Sequence, residues 1–284
     1  LGHGAVTAGY GFYVDASLDT DGDDRWEDQT AGNPTGQEFL LDLTSENPVT
    51  RVTGVSSYPG ISAAYNFPGG QTGNVAGAAM VTTGTTTPRS FQNAADGDWT
   101  NAGQDVSLEL WFRPSSLSHT PTNGQTLFED GGGTGIGLFL NDDLIDFRRA
   151  NGAGIISSSS ISGIAGEFIQ VVGVWDFTAG GVMNLYVNGA LASTTSGITG
   201  GDWSGGDGAA LGTRGQANTG GIGNGQADTE SFDGEMAIFR AYRDRVLTAS
   251  EVADNYNAVI PEPSATLFCG LGAIALLRRR RSQR

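Results

Sequence analysis

The chain has 284 residues and a formal net charge of −16, with 45 glycines and a single cysteine. That length can bury a large core without disulfide or metal staples, and so acidic a surface repels phosphate backbones, which argues against nucleic acid as a partner. The lone Cys269 lies near the C-terminus, so the body has no disulfide framework, thiolate metal site or cysteine nucleophile. The glycines follow no three-residue period, which excludes collagen, and they fall between apolar runs as the turns of a β protein require. All 15 basic residues are Arg, and five of them sit at 278–281 and 284, so the body is more acidic than the total implies.

In chain order, a strand is expected near 8–14. The acidic stretch DASLDTDGDDRWED follows, with Asp19, Asp21 and Asp23 at alternate positions and Asp24, Glu27 and Asp28 nearby. Calcium takes six to eight hard oxygens, and a Gly-containing turn lets carboxylates converge, so Asp19, Asp21 and Asp23 are candidate Ca2+ ligands. The loop is not an EF-hand: counted from Asp19, Gly22 stands at position 4 and Thr30 at position 12. The alternative is an acidic surface loop before the strand expected at 38–42. A further strand is expected at 61–67.

The segment DVSLELWFRP alternates with period two, Val106, Leu108, Leu110 and Phe112 facing one way and Ser107, Glu109, Trp111 and Arg113 the other. Shorter strands are expected at 125–129, 136–140, 144–149 and 208–212. FIQVVGVWDF is apolar on both faces and reads as a central strand covered on both sides. In GVMNLYVNG, Met183, Leu185 and Val187 oppose Asn184, Tyr186 and Asn188, and Asn188-Gly189 reads as a tight hairpin turn into Ala190-Leu191-Ala192. GEMAIFRAY (234–242) is a last long strand. One helix is evident, opened by the capping box Thr248-Ala-Ser-Glu251 with Val252 and Tyr256 on one face. The expected architecture is all-β, a two-sheet antiparallel jelly-roll sandwich with one short C-terminal helix, followed by a short hydrophobic tail helix.

The tail, IPEPSATLFCGLGAIALLRRRRSQR, carries a different signal. Pro261 and Pro263 end the preceding helix and impose an extended segment. Ser264 to Leu277 is a run of 14 uncharged residues, about 21 Å as a helix, against a hydrocarbon core of ~30 Å. Arg278, Arg279, Arg280 and Arg281 then form a cytoplasmic stop. The span is marginal for a permanent anchor and suits a transient, processed one. The competing reading is a buried C-terminal helix followed by a basic patch.

Pro261-Glu262-Pro263, the apolar run and the Arg cluster, in that order, resemble the PEP-CTERM sorting signal of Gram-negative bacteria. The resemblance implies export, transient anchoring in the inner membrane by the tail, and an exosortase-like processing enzyme as partner. Export also calls for an N-terminal signal. The chain opens at Leu1 with neither a basic nor an apolar leader segment, so its N-terminus is expected to be trimmed or incomplete.

Three segments resemble a LamG-type domain of the concanavalin A-like lectin/glucanase superfold: VSLELWFRP (106–114), EFIQVVGVWDFTAGGVMNLYVNG (167–189) and SFDGEMAIFRAYRDRVLTASEVADNY (231–256). YNFPGG (65–70) is similar to an early strand of the family, and RWEDQTAGN (25–33) to the W-x-D-x-[ST]-G opening of some members. The implied division is an N-terminal strand and acidic loop over 1–24 within the sandwich, a LamG-like domain over 25–258 and the sorting tail over 259–284. Some members of the fold hold calcium through an acidic residue in the last long strand; the matching position here is Ala237.

Glucanases of this superfold carry Glu-x-Asp-x-(x)-Glu on one strand, which places two carboxylates on one face for retaining hydrolysis. That pattern is absent, and the nearest acidic run, Asp142-Asp143-x-x-Asp146, reads as a solvated hairpin loop. His3 and His119, the two histidines, sit in a terminus and a loop with no Gly-x-Ser-x-Gly elbow, which gives no basis for a triad. Trp203 (GGDWSGGDG) and Trp99 (DGDWTNAG) lie in Gly/Asp loops suited to stacking on a pyranose, or else clamp those loops onto the sandwich. Trp111 and Trp175 are expected in the core. The expected function is thus non-catalytic: an exported cell-envelope or extracellular-matrix protein binding carbohydrate or another surface polymer, with calcium as the candidate cofactor. The alternative is a structural or adhesive matrix component without a glycan site. The third reading is a glycoside hydrolase, which the missing paired carboxylates disfavour.

Overall fold

The computed structural model describes residues 5–6, 10–30, 37–41, 48–69, 78–82, 91, 105–118, 124–131, 135–149, 154–198, 208–213 and 230–260. Two sheets face each other across one core. The first contains β1 (Tyr10–Asp15), β4 (Thr50–Thr53), β5 (Ala63–Pro68), β7 (Val106–Pro114), β12 (Ile169–Asp176), β13 (Val182–Val187), β14 (Ala190–Thr195) and β17 (Asp233–Arg243), in the order β14-β13-β12-β7-β17-β5-β4. The eleven-residue β17 is long enough to serve two partners on one edge. Asp233 to Met236 pair with β5, and Ile238 to Tyr242 pair with β1.

The second sheet contains β2 (Arg25–Glu27), β3 (Gln37–Leu41), β6 (Ala78–Thr82), β8 (Gln125–Asp130), β9 (Ile136–Asn141), β10 (Leu144–Arg149), β11 (Gly154–Ser157) and β15 (Ala210–Leu211), in the order β11-β10-β9-β8-β15-β6-β3-β2. All ladders are antiparallel except a two-residue parallel pairing of β16 (Glu230–Ser231) with β8. The all-β, two-sheet sandwich with one short C-terminal helix is the architecture expected from the sequence. The tail helix expected after it lies outside the described residues.

Alternation decides which faces meet. Val106, Leu108, Leu110 and Phe112 of β7 enter the main core with Ile169, Val171, Met183 and Leu185. Aromatic pairs tie the sheets together there: Phe12 meets Phe39 edge-to-face at 5.3 Å and 88°, and Phe128 stacks 4.8 Å from Phe239. β12 is buried along nearly its whole length, flanked by β7 and β13, as its two-faced apolarity requires. At the β13–β14 hairpin, Asn188 (φ 49°) and Gly189 (φ 78°) both take positive φ, the geometry of a type I′ turn.

The other face of β7 is also covered, by α1 (Ala249–Val259). Thr248 caps it with the reciprocal Glu251 capping box, a motif worth about 1 kcal/mol. Val252, Asn255 and Val259 face the sheet, and the Tyr256 ring stacks on Trp111 at 5.7 Å and 7°. Val259 O accepts from Gly60 N at 3.1 Å, which ties the end of the helix to the loop before β5.

Beneath the helix lies Glu109, fully buried. Its Oε1 accepts from Trp111 Nε1, Gln170 Nε2 and Arg240 Nη1, each at 2.9 Å. Its Oε2 accepts from Asn255 Nδ2 at 2.7 Å and Tyr242 Oη at 3.4 Å. Asn255 Oδ1 in turn accepts from Val6 N at 2.6 Å, so one carboxylate links the sheet, the helix and the N-terminal segment.

Candidate functional site

The acidic loop joins β1 in the first sheet to β2 at the edge of the second. Asp15 starts it: Oδ1 accepts from Ser17 N at 2.8 Å, and its carbonyl accepts from Leu18 N and Asp19 N, which turns the chain back. Gly22, at φ 78°, makes the second reversal, in a region that disfavours side chains. Asp19 is 3% exposed, and its Oδ2 accepts from the Tyr65 hydroxyl of β5. Tyr65 is itself fixed against Trp26 of β2, ring centroids 4.9 Å apart.

Carboxylate oxygens of Asp19, Asp21 and Glu27 lie within 4.8 Å of one another, a metal-capable group among the described residues. The third expected ligand, Asp23, is not among them. Its Oδ1 accepts from Arg25 N at 2.7 Å and shapes the start of β2. Glu27 takes the place because β2 pairs with β3, Trp26 opposite Phe39 and Glu27 opposite Glu38. With Trp26 in the core, alternation turns Arg25 and Glu27 to the other face. The signal in the sequence was the Trp between two charged residues, too short a run to read as a strand.

Electrostatics mark the cluster as short of positive charge. Burial pushes the Asp19 carboxyl above its ordinary value; the Tyr65 hydroxyl opposes the rise, Asp21 adds to it, Arg51 opposes it and Asp23 adds again. Burial, with Asp19, Asp21 and Asp23 adding, pushes Glu27 up to about 7 against the pull of a backbone hydrogen bond. Burial and the Asp19 carboxylate raise the Tyr65 hydroxyl, which therefore stays a donor. Two oxygens on opposite sides of a Ca2+ ion at ~2.4 Å are about 5 Å apart, so the 4.8 Å spread and the all-carboxylate donor set fit that ion. Ala237 contributes no ligand side chain: it is buried beneath α1, and its carbonyl accepts from Ala16 N at 2.9 Å.

The acidic run at 142–146 differs from the solvated loop expected there. Asp142 sits in the β9–β10 turn at φ 52°, but Asp146 is a buried β10 residue, 3% exposed. It accepts from Arg148 Nη2 at 2.7 Å, Ser157 Oγ at 2.6 Å and Asn141 Nδ2 at 3.2 Å. The reason is the short turn, which starts β10 at Leu144 and gives Asp146 strand neighbours on both sides. Trp111 and Trp175 are fully buried, as expected. Trp99, Trp203, His3, His119, Pro261, Glu262, Pro263 and Arg278 to Arg281 lie outside the described residues. Among the described residues, no helix is long and apolar enough to cross a membrane.

A family model, Laminin_G_3 of the concanavalin A-like lectin/glucanases superfamily, matches residues 84–253. The chain belongs to this family. The chain is similar in fold to the receptor-binding domain of botulinum neurotoxin D, with a TM-score of 0.56 at 11% identity over 87% of this chain and 52% of that one. It is likewise similar to the binding domain of Paraclostridial Mosquitocidal Protein 1, with a TM-score of 0.54 at 15% identity over 88% and 52%. The botulinum neurotoxin DC binding domain in complex with rat synaptotagmin II gives 0.54 at 14%, over 88% and 51%. The chain thus spans about half the length of these solved chains. No curated protein matches its sequence.

Proposed function

We propose that the chain is an exported, non-catalytic cell-envelope or extracellular-matrix protein whose Laminin_G_3 sandwich binds carbohydrate or another surface polymer. The observation that carries this reading is the family's lectin/glucanase sandwich; two of its buried carboxylates, Glu109 and Asp146, are committed to structural hydrogen bonds. A general acid or nucleophile needs a carboxylate open to a substrate, and these two are spent on Arg, Asn, Gln and Ser partners. The similar toxin domains are binding domains by their own description, that of botulinum neurotoxin D a receptor-binding one, which supports a binding role by analogy of fold alone.

Two further elements belong to the proposal. Asp19, Asp21 and Glu27 hold Ca2+ and stiffen the β1–β2 loop, with Asp23 supporting the turn. Residues 261–284 act as a PEP-CTERM-like sorting tail that holds the protein at the inner membrane until an exosortase-like enzyme cuts near Pro261-Glu262-Pro263. The sugar contacts are assigned to Trp203 and Trp99. A glycan array probed with and without Ca2+ tests the reading. Binding lost in Trp203→Ala supports a lectin, and absence of binding to any glycan favours the structural, adhesive alternative.

A further inference from the structure

The last turn of α1 ends without the usual helix-terminating devices. Its cap, Ile260, is extended (φ −87°, ψ 146°) rather than left-handed, and the turn holds no basic side chain. Pro261 follows and cannot continue the helix. The last carbonyls of a helix have no partner within it and need one from elsewhere. Val259 O finds its partner in Gly60 N, at 3.1 Å, and Ile260 N donates back to Tyr256 O at 3.3 Å.

Gly60 belongs to the loop over 54–62 between β4 and β5, which is fastened at three points. Gly54 N donates to Ser62 O at 2.9 Å across the base of the loop. Ser17 Oγ accepts from Ser62 N at 3.0 Å, and Arg113 Nη1 donates to Val55 O at 2.8 Å. Ile61 is buried, and the Tyr58 ring meets Trp111 edge-on at 6.5 Å and 76°. Val259 is 3% exposed and lies directly on Gly60: a Cβ at position 60 would stand 2.8 Å from Val259 Cα and 3.1 Å from its carbonyl oxygen. Ile260 packs against the same apolar cluster, with Val55, Tyr58 and Tyr256.

We infer that this loop is a stop for proteolytic processing of the C-terminus, and that Gly60 is the residue that lets the chain dock on it. The partner is a peptidase, and a peptidase cuts chain that has opened locally. Residues 256–260 are held closed by the Tyr256–Trp111 stack at 5.7 Å, the Gly60–Val259 hydrogen bond and the burial of Val259. The described contacts run through Ile260, the residue directly before Pro261-Glu262-Pro263. Cleavage beyond Ile260 therefore spares α1, whose Asn255 donates to the buried Glu109 Oε2 at 2.7 Å. The identity of the peptidase rests on the proposed sorting tail; the stop is a property of the fold.

Limited digestion of the full chain with proteinase K, read by mass spectrometry, tests the stop without the cellular peptidase. The first cut on the C-terminal side should fall beyond Ile260, with the bonds of 249–260 intact. In Gly60→Val, whose side chain has no room beside Val259, cleavage within 249–260 should become at least about tenfold faster, the effect of ~1.4 kcal/mol. Gly60→Ala should act in the same direction and by less; it decides the matter if near-ultraviolet circular dichroism shows that valine disturbs the whole sandwich. Gly163→Ala, where a Cβ meets nothing within 4 Å, should digest like the native chain. A first cut inside 249–259 of the native chain, or cleavage of α1 no faster in either Gly60 variant, would overturn the inference. A native protein never shortened in cells would contradict the sorting tail instead, and the digestion result would stand.

Discussion

Replacing Glu109 by Gln removes one negative charge and keeps the shape. Glu109 is fully buried and the Arg240 side chain is 5% exposed, so the change leaves a guanidinium in the interior without its carboxylate. Breaking a buried pair from one side costs about 3–5 kcal/mol. The amide that replaces Oε2 would also meet Asn255 Nδ2, which now donates there at 2.7 Å. Asn255 cannot turn its oxygen inward without giving up the bond from Val6 N. The damage should therefore spread to α1 and the N-terminal segment. At 2–4 °C per kcal/mol for a domain of this size, the melting temperature should fall by roughly 6–20 °C. Calorimetry measures the fall, and hydrogen exchange should speed up first in residues 249–260. Adding Arg240→Met should recover part of the loss, because the buried guanidinium that has lost Glu109 is then gone. A fall below about 3 °C, or a double variant worse than the sum of its parts, would refute the electrostatic account.

Glu27 has a folded pKa of about 7 against 4.5 when exposed. Its raised value means that the folded state holds the proton more tightly, so the metal-free protein loses stability as pH rises from about 4.5 to 7. The full shift corresponds to ~3.4 kcal/mol, which partial solvent exposure reduces to about 1–2 kcal/mol. Ca2+ should raise the melting temperature more at pH 8 than at pH 5.5, an effect abolished in Glu27→Gln and kept in Asp23→Asn; thermal melts with Ca2+ or a chelator check this. A chain ending at Val259 should remain soluble and keep its circular dichroism, because α1 ends there; aggregation would make the tail part of the domain.

Strands that declare themselves locally were legible in the sequence. The alternation of β7, the two-faced apolarity of β12, the Asn188-Gly189 turn and the Thr248 capping box all need only neighbours in the chain. β2, β4, β6 and β11 were not legible: they are three to five residues long, too short for an alternating pattern to show, and owe their strand state to pairing partners. The exchange of Glu27 for Asp23 in the carboxylate group has the same cause, since the register of β2 on β3 decides it. Glu109 alternates onto the polar face of β7, yet a helix whose Asn255 lies 146 residues away buries it. Local pattern fixes faces, and distant segments decide which faces stay wet.

The non-catalytic binding role is tested most directly by incubating the protein with a panel of extracellular polysaccharides and measuring both retention and reducing ends on the same samples. The account predicts retention on at least one polymer, strengthened by Ca2+, with no reducing ends above background. Release of reducing ends that tracks protein concentration would contradict it and make the sandwich an enzyme.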